Sequence, residues 1–203
     1  MHTPFEPYLL EDKTRLPEIF MLRVNAWENS PRSHVINSPK YPNGYFDNLE
    51  ETGLHWVVEN EQGQIIAAAR GNVLNSFDEL PYPGIVKGFE LAAERPFFYY
   101  SRLAIHPNYR NLGISNKLDI TRINYHEEID TKFILATAGD FRISALEKIG
   151  FKSLGEINPD NDPDFIFKSD VMLVTPPNKH RRSRLLIRIN DKVVKRKQPN
   201  PVK

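Results

Sequence analysis

One stretch, "SRLAIHPNYRNLGISNKL" from Ser101 to Leu118, does most to limit the folds open to this chain. It begins inside an apolar run, "PFFYYSRLAI", of the kind that forms a buried strand. Pro107 breaks that run. From Ile114 onward, Ile114, Leu118, Ile120 or Thr121 and Tyr125 recur at the spacing of one helix face. A short polar turn containing Arg110 and Gly113 joins the two. Downstream, "KFILATA" is a short, wholly apolar run suited to the middle of a sheet. The run "DFRISALEKIGF" reads as a helix with Asp140 as its N-cap and Gly150 as its C-terminal stop. The centre of the chain is therefore strand–helix–strand–helix–strand, which predicts a single α/β core.

The flanks extend that pattern. "LHWVVEN-EQGQ-IIAAARGNV" predicts a β-hairpin just before the central strand. Leu16, Ile19, Phe20, Leu22, Val24 and Trp27 predict an amphipathic helix from about Thr14 to Glu28. The Pro-, Asn- and Ser-rich run after it predicts a loop with a short helix near Tyr45–Glu50, and residues 74–95 a long connection. "FKSLGEI" and "FIFKSDVMLV" are further strands.

Composition excludes several classes. With 203 residues, 40% hydrophobic and 26% charged, the chain is an ordinary globule with enough length for a real core. No apolar run approaches the roughly 20 residues of a membrane span, and the first residues lack the pattern of a signal peptide, so a cytoplasmic protein is expected. The absence of cysteine removes disulfides, thiolate nucleophiles and Cys-based metal sites, and no metal site is expected. Charge is unevenly placed. Ten Lys or Arg against Asp191 alone give Lys179–Lys203 a net charge of +9, which leaves about −8 on residues 1–178. Residues 1–178 are read as one domain and 179–203 as a basic C-terminal extension. "RLLIRIN" and "VVKRK", on either side of Asn190-Asp191-Lys192, suggest a small hairpin within it.

A glycine turn between strand and helix presents main-chain N–H groups, and the helix N-terminus adds about half a positive charge. The turn from Arg110 to Ser115 is therefore a candidate site for a phosphate or pyrophosphate. Arg110 can add a charged donor, and Gly113 lets the backbone approach the ligand closely.

Leu103, Ile105, Pro107, Tyr109, Arg110 and Gly113, followed some forty residues later by Gly150-Phe151 at a helix end, resemble the GNAT superfamily of acyl-CoA N-acyltransferases. The resemblance runs from about Thr14 to Val174. It implies an α+β fold with a mostly antiparallel central sheet flanked by helices and a splayed strand pair that binds CoA. It further implies that Arg110, Asn111, Leu112, Gly113, Ile114 and Ser115 hold the pyrophosphate of acetyl-CoA or another acyl-CoA. Leu103, Ala104 and Ile105 would bind the pantetheine arm. An acceptor amine would attack the thioester directly, with a backbone N–H as oxyanion donor.

Three positions depart from the family's pattern. Ser115 stands where Gly or Ala is usual. Ser101 stands where a catalytic carboxylate is frequent. Gly139 and Leu146 stand where the family often has Asn and a Tyr that protonates the leaving thiolate. The candidates left for proton transfer are Tyr99, Tyr100, Ser101 and Glu90, with His34 and His55 as further bases. Strand alternation sends Tyr99 and Tyr100 to opposite faces. Trp27, His34 and Arg102 are candidates for substrate contacts. Arg102 is notable because a charge within an apolar strand is costly unless it is paired. It either meets a substrate carboxylate or an acidic residue of a neighbouring loop. The Ser-Arg pair also resembles the strand of acyl-homoserine-lactone and N-acyl amino acid synthases.

The expected activity is transfer of an acyl group, acetyl first, from acyl-CoA to an amine of a small molecule or peptide. The alternatives are a longer-chain N-acyl amino acid synthase and a CoA-binding module without catalysis. Nucleic acid ranks last as a partner because the basic tail has no aromatic stacking platform. The C-terminal strands offer an edge for a homodimer.

Overall fold

The computed structural model describes residues 5–29, 41–89, 91, 96–157 and 183–189. Within them a sheet of seven strands runs in the order β1-β2-β3-β4-β5-β7-β6. The strands are β1 (Tyr8–Leu9), β2 (Leu54–Glu59), β3 (Ile65–Leu74), β4 (Phe97–Ile105), β5 (Phe133–Gly139), β6 (Lys152–Glu156) and β7 (Ser183–Ile189). Three α-helices accompany them: α1 (Leu16–Glu28), α2 (Ile114–Glu128) and α3 (Asp140–Glu147). Every neighbouring pair of strands is antiparallel except β4 and β5, which are parallel because α2 crosses between them. The mixed, mostly antiparallel α+β fold expected from the sequence is present.

Alternation along β4 distributes its aromatic side chains between two cores. Phe98 and Tyr100 pack with Trp56, Ile114, Leu118 and Leu146 on the face covered by α2 and α3. Phe97 and Tyr99 pack on the other face with Leu80, Tyr82 and Ile85, which come from the long connection after β3. On that second face α1 lays Ile19, Leu22 and Ala26 over Val57, Ala68 and Ala104.

The helix ends follow local chemistry. Pro17 lies in the first turn of α1, where its missing N–H costs nothing. At the end of α3, Gly150 has φ +93, its N–H donates to the Glu147 carbonyl, and the Phe151 N–H donates to the Leu146 carbonyl. That is a Schellman stop, and its apolar partners Leu146 and Phe151 both enter the core. The start of α3 differs from expectation: the N-cap is Gly139, in extended conformation, and Asp140 is already helical. The short helix expected near Tyr45–Glu50 is instead a coil leading into a turn. Its acidic side chains are drawn to arginines, as described below, and no helical hydrogen-bond series forms.

The largest difference concerns the basic C-terminal stretch. Residues 183–189 do not stand apart from the core: as β7 they pair with β5 over seven positions on one side and with β6 on the other. Leu185 and Leu186 are fully buried. The apolar run Leu185–Ile187 outweighed the charge: its side chains enter both cores of the sheet, and the flanking Arg184 and Arg188 meet Glu156 and Glu127. The second arm of the expected hairpin, the strand "FIFKSDVMLV", His34 and Glu90 lie outside the described residues. Among the described residues no helix is long and apolar enough to cross a membrane.

Two histidines are sealed in this core. His55 and His126 are about 1% and 0% exposed. Burial pulls each down from the ordinary 6.5 to about 4, with Glu50 opposing at His55 and Arg188 adding to the effect at His126. Their unfolded forms bind protons that the folded forms refuse. Their contribution to stability is therefore full above pH 6.5 and is lost as pH falls toward 4. Unfolding by urea should show a declining free energy over that window, with a smaller decline in His126→Gln. A second expectation comes from β7. Leu186→Ala should lower the unfolding free energy by about 2–5 kcal/mol, where a side chain in a separate arm would cost almost nothing. Denaturant titration distinguishes the two.

Candidate active site

The parallel pairing of β4 with β5 covers only Phe98–Ile134, Tyr99–Leu135 and Tyr100–Ala136. Beyond Tyr100 the strands part. β4 stays with β3 as far as Ile105, and β5 stays with β7 as far as Gly139. The cause is a bulge. Between Ala68–Ala104 and Arg70–Ser101, β4 has one residue more than β3, so Arg102 and Leu103 face Ala69 together. Arg102 takes φ +56 there, a left-handed conformation that costs a residue with a side chain on the order of 1–3 kcal/mol. The edge of β4 that turned away from β5 has no strand partner among the described residues.

A cleft of about 290 Å³ occupies the gap. Strand residues Tyr99, Ser101, Leu103, Thr137 and Gly139 line its middle. Trp27, Tyr82 and Arg102 close it on the α1 face, and Asp119, Arg122 and Arg142 on the α2–α3 face. Of the residues singled out from the sequence, the fold thus gathers Trp27, Tyr99, Tyr100, Ser101, Arg102 and Leu103 around one space. Ala104 packs instead under α1, and Ile105 against the α2 side of the core.

The two tyrosines have different surroundings. The Tyr100 hydroxyl donates to the Asp119 carbonyl at 2.5 Å, and its ring lies 3.5 Å below the Arg122 guanidinium. That proton is committed to the helix backbone. The Tyr99 side chain stands beside Thr137 on the opposite face. Burial raises both phenols above their ordinary range, so both remain protonated at neutral pH. Ser101 has no base next to it; its Oγ accepts from Arg70 Nε at 3.1 Å.

Behind the α1 wall lies a group of charges that sequence reading did not assemble. Arg23 donates to both oxygens of Glu50, at 2.6 and 3.1 Å. Arg70 donates to Glu50 at 2.5 Å and to both oxygens of Asp47, at 2.6 and 3.1 Å. Arg102 completes the row, donating to Asp47 from Nε at 3.0 Å and from Nη2, with its guanidinium 4.7 Å from the centre of the Tyr45 ring. Burial works to raise the Asp47 carboxyl, but Arg102 and Arg70 hold it well below the usual carboxylate range. The acidic partner expected for Arg102 is therefore Asp47. A signal for this group was present in the sequence: Arg70 interrupts "IIAAARGNV" and Arg23 interrupts an apolar helix face, as Arg102 interrupts its strand. On the other face Asp119 accepts from Arg122 at 2.8 Å and from Arg142. Asp119 in the cleft wall and Asp47 behind it are thus each occupied by two arginines.

The turn before α2 has an open backbone. Asn111 and Gly113 take φ +63 and +77, and a side chain at Gly113 would meet nothing within 4 Å. The amides of Asn111, Leu112, Gly113, Ile114 and Ser115 have no acceptor among the described residues. Leu112 is exposed, Ile114 is buried in the core and Ser115 is half-buried. Arg110 points elsewhere. Its guanidinium donates to the Asn29 carbonyl at 2.7 Å and to the Ala26 carbonyl, so it caps the C-terminus of α1. His106 accepts from the Asn108 amide at 3.3 Å and starts the 3-10 turn Pro107–Tyr109.

The fold has parallels among solved structures. The chain superposes on an N-acyl amino acid synthase, FeeM, from uncultured soil microbes with a TM-score of 0.64 at 11% identity, over 95% of this chain and 94% of that one. It matches a histone acetyltransferase and related acetyltransferase from Corynebacterium glutamicum with a TM-score of 0.57 at 20% identity, over 92% and 97%. A GNAT family acetyltransferase from Elizabethkingia anophelis, solved with acetyl-CoA bound, gives 0.54 at 14% identity, over 91% and 97%. No curated protein matches the chain significantly. These likenesses concern the fold. Sequence decides the family: the acetyltransferase (GNAT) family model matches residues 21–151, well over half the chain, and the protein belongs to the GNAT family of acetyltransferases.

Proposed function

We propose that the protein transfers an acyl group, acetyl in the first instance, from acyl-CoA to an amine. The observation that carries this reading is the parting of β4 from β5 after three residue pairs, which leaves an unpaired main-chain edge along a cleft. A pantetheine arm is a chain of amides, and an unpaired strand edge is suited to bind it in the way a strand would be bound. The thioester then lies at the bulge. The five open amides from Asn111 to Ser115, at the N-terminus of a 15-residue helix, suit the pyrophosphate. Arg110 serves this site indirectly, by fixing the turn to α1.

The reaction needs no covalent intermediate. The amine nitrogen bonds to the thioester carbon, the carbon–sulfur bond breaks, and the proton lost by nitrogen is balanced by one gained by the thiolate. Asp47 and Asp119 each have both oxygens engaged by two guanidiniums, so neither is assigned the role of base. The amine therefore arrives neutral or loses its proton to water. Tyr99 is the phenol free of a main-chain commitment, and burial keeps it protonated, so it is assigned the return of a proton to sulfur.

Two measurements test this. Gly113→Asp, which puts a negative charge over the open amides, should abolish CoA binding in calorimetry while leaving the circular dichroism spectrum unchanged; unaltered affinity would refute the pyrophosphate assignment. Tyr99→Phe should lower kcat by about 100-fold or more with CoA affinity retained. Product masses from acetyl-CoA and from long-chain donors decide the acyl group, and turnover restricted to long donors would replace acetyl with a longer chain.

A further inference from the structure

Five buried charges alternate in sign behind the α1 wall of the cleft: Arg23, Glu50, Arg70, Asp47 and Arg102. Three are cations and two are anions. Arginine keeps its charge when buried, so the row carries one positive charge in excess. Each carboxylate is already shared by two guanidiniums, and none of it remains to offset the surplus. Arg23 and Arg70 are 2% and 0% exposed and lie deep in the row, where they also donate to the Tyr45 carbonyl and to Ser101. Arg102 is the end of the row and opens on the cleft. It donates from Nε and Nη2 to Asp47, and the Tyr82 hydroxyl accepts a further bond from it. An excess charge held away from bulk water raises the affinity of the space in front of it for an anion.

From this charge balance we infer that the acceptor is an amine bearing its own carboxylate, as a free amino acid does, and that Arg102 binds that carboxylate. The inference rests on the acyl-transfer reading above. The surplus is a single charge, which matches a carboxylate and falls short of a phosphate. A guanidinium also presents two parallel donors to the two oxygens of a carboxylate. Position supports the same conclusion. Arg102 lies two residues past the last β4–β5 pair, where the thioester is placed, so an anion on Arg102 brings a neighbouring amine to the reacting carbon. The cluster on the opposite face, Asp119 with Arg122 and Arg142, carries the same surplus, so position decides between the two: Arg122 is spent on the Leu118 and Arg70 carbonyls, on Asp119 and on the Tyr100 ring, and Arg142 comes from α3, not from the bulge. Glu50, Arg70 and Asp47 act as positioning residues that hold Arg102 in its left-handed conformation.

The test uses the unmodified full chain. CoA binding is first measured by calorimetry, and its failure would remove the acyl-transfer reading itself. The twenty standard amino acids and their primary amides are then titrated into the CoA complex and assayed for thiol release with acetyl- and long-chain acyl-CoA. At least one free acid should bind and turn over, and its amide should lose tenfold or more in kcat/KM, mainly through KM. Arg102→Lys should keep CoA affinity and reduce the acid-over-amide preference. The inference is overturned if CoA binds but no free acid does, or if acids and amides are used equally.

Discussion

Three residue pairs are all that hold β4 to β5, and the functional geometry follows from where that pairing stops. Phe98, Tyr99 and Tyr100 are locked on both sides, and their rings anchor the two cores of the sheet. One extra residue at Arg102 then turns β4 away. A bulge in an otherwise regular ladder would be a defect if it only cost energy. Here it exposes a strand edge to the cleft and aims a guanidinium at the same space, so a local irregularity supplies both features of the site.

The buried charges explain how such a bulge persists. Removing ions from water is expensive, and pairing them seldom returns more than it takes. What an alternating row supplies is position: each side chain is held by two neighbours, and displacing one leaves a buried charge unmatched. Asp47 holds two arginines from adjacent strands and comes from a coil that has no regular structure of its own. The coil is thereby fixed over the sheet without a helix, and Tyr45 is brought onto both Arg102 and Trp27. Stability and site architecture rest on the same bonds.

Most of the framework could be read from the sequence because it depends on local periodicity. The hairpin, β4, α2, β5 and α3 each carry enough apolar pattern or punctuation to declare themselves. The site was less legible. Trp27, Tyr99, Ser101 and Arg102 stood out by type and place, but Asp47 and Glu50 lie in a polar loop where acidic residues attract no notice. Their meaning depends on Arg23 and Arg70, which come from other elements, and no local pattern links them. Arg110 shows the opposite problem. Its place in the motif suggested a ligand contact, whereas its side chain turns to a helix end more than eighty residues earlier. At 183–189 the strand itself was expected, but its place between β5 and β6 was not, since net charge describes a surface and not the pairing beneath it.

The Arg110 tether has a mechanical result. It joins the turn at the start of α2 to the last residues of α1, between which sits Trp27, a wall of the cleft. The Arg110 side chain ties the turn to the main chain on either side of the indole. The open amides of the turn and one wall of the cleft are therefore held in register by a single side chain, and neither can shift without breaking the bonds that place the other.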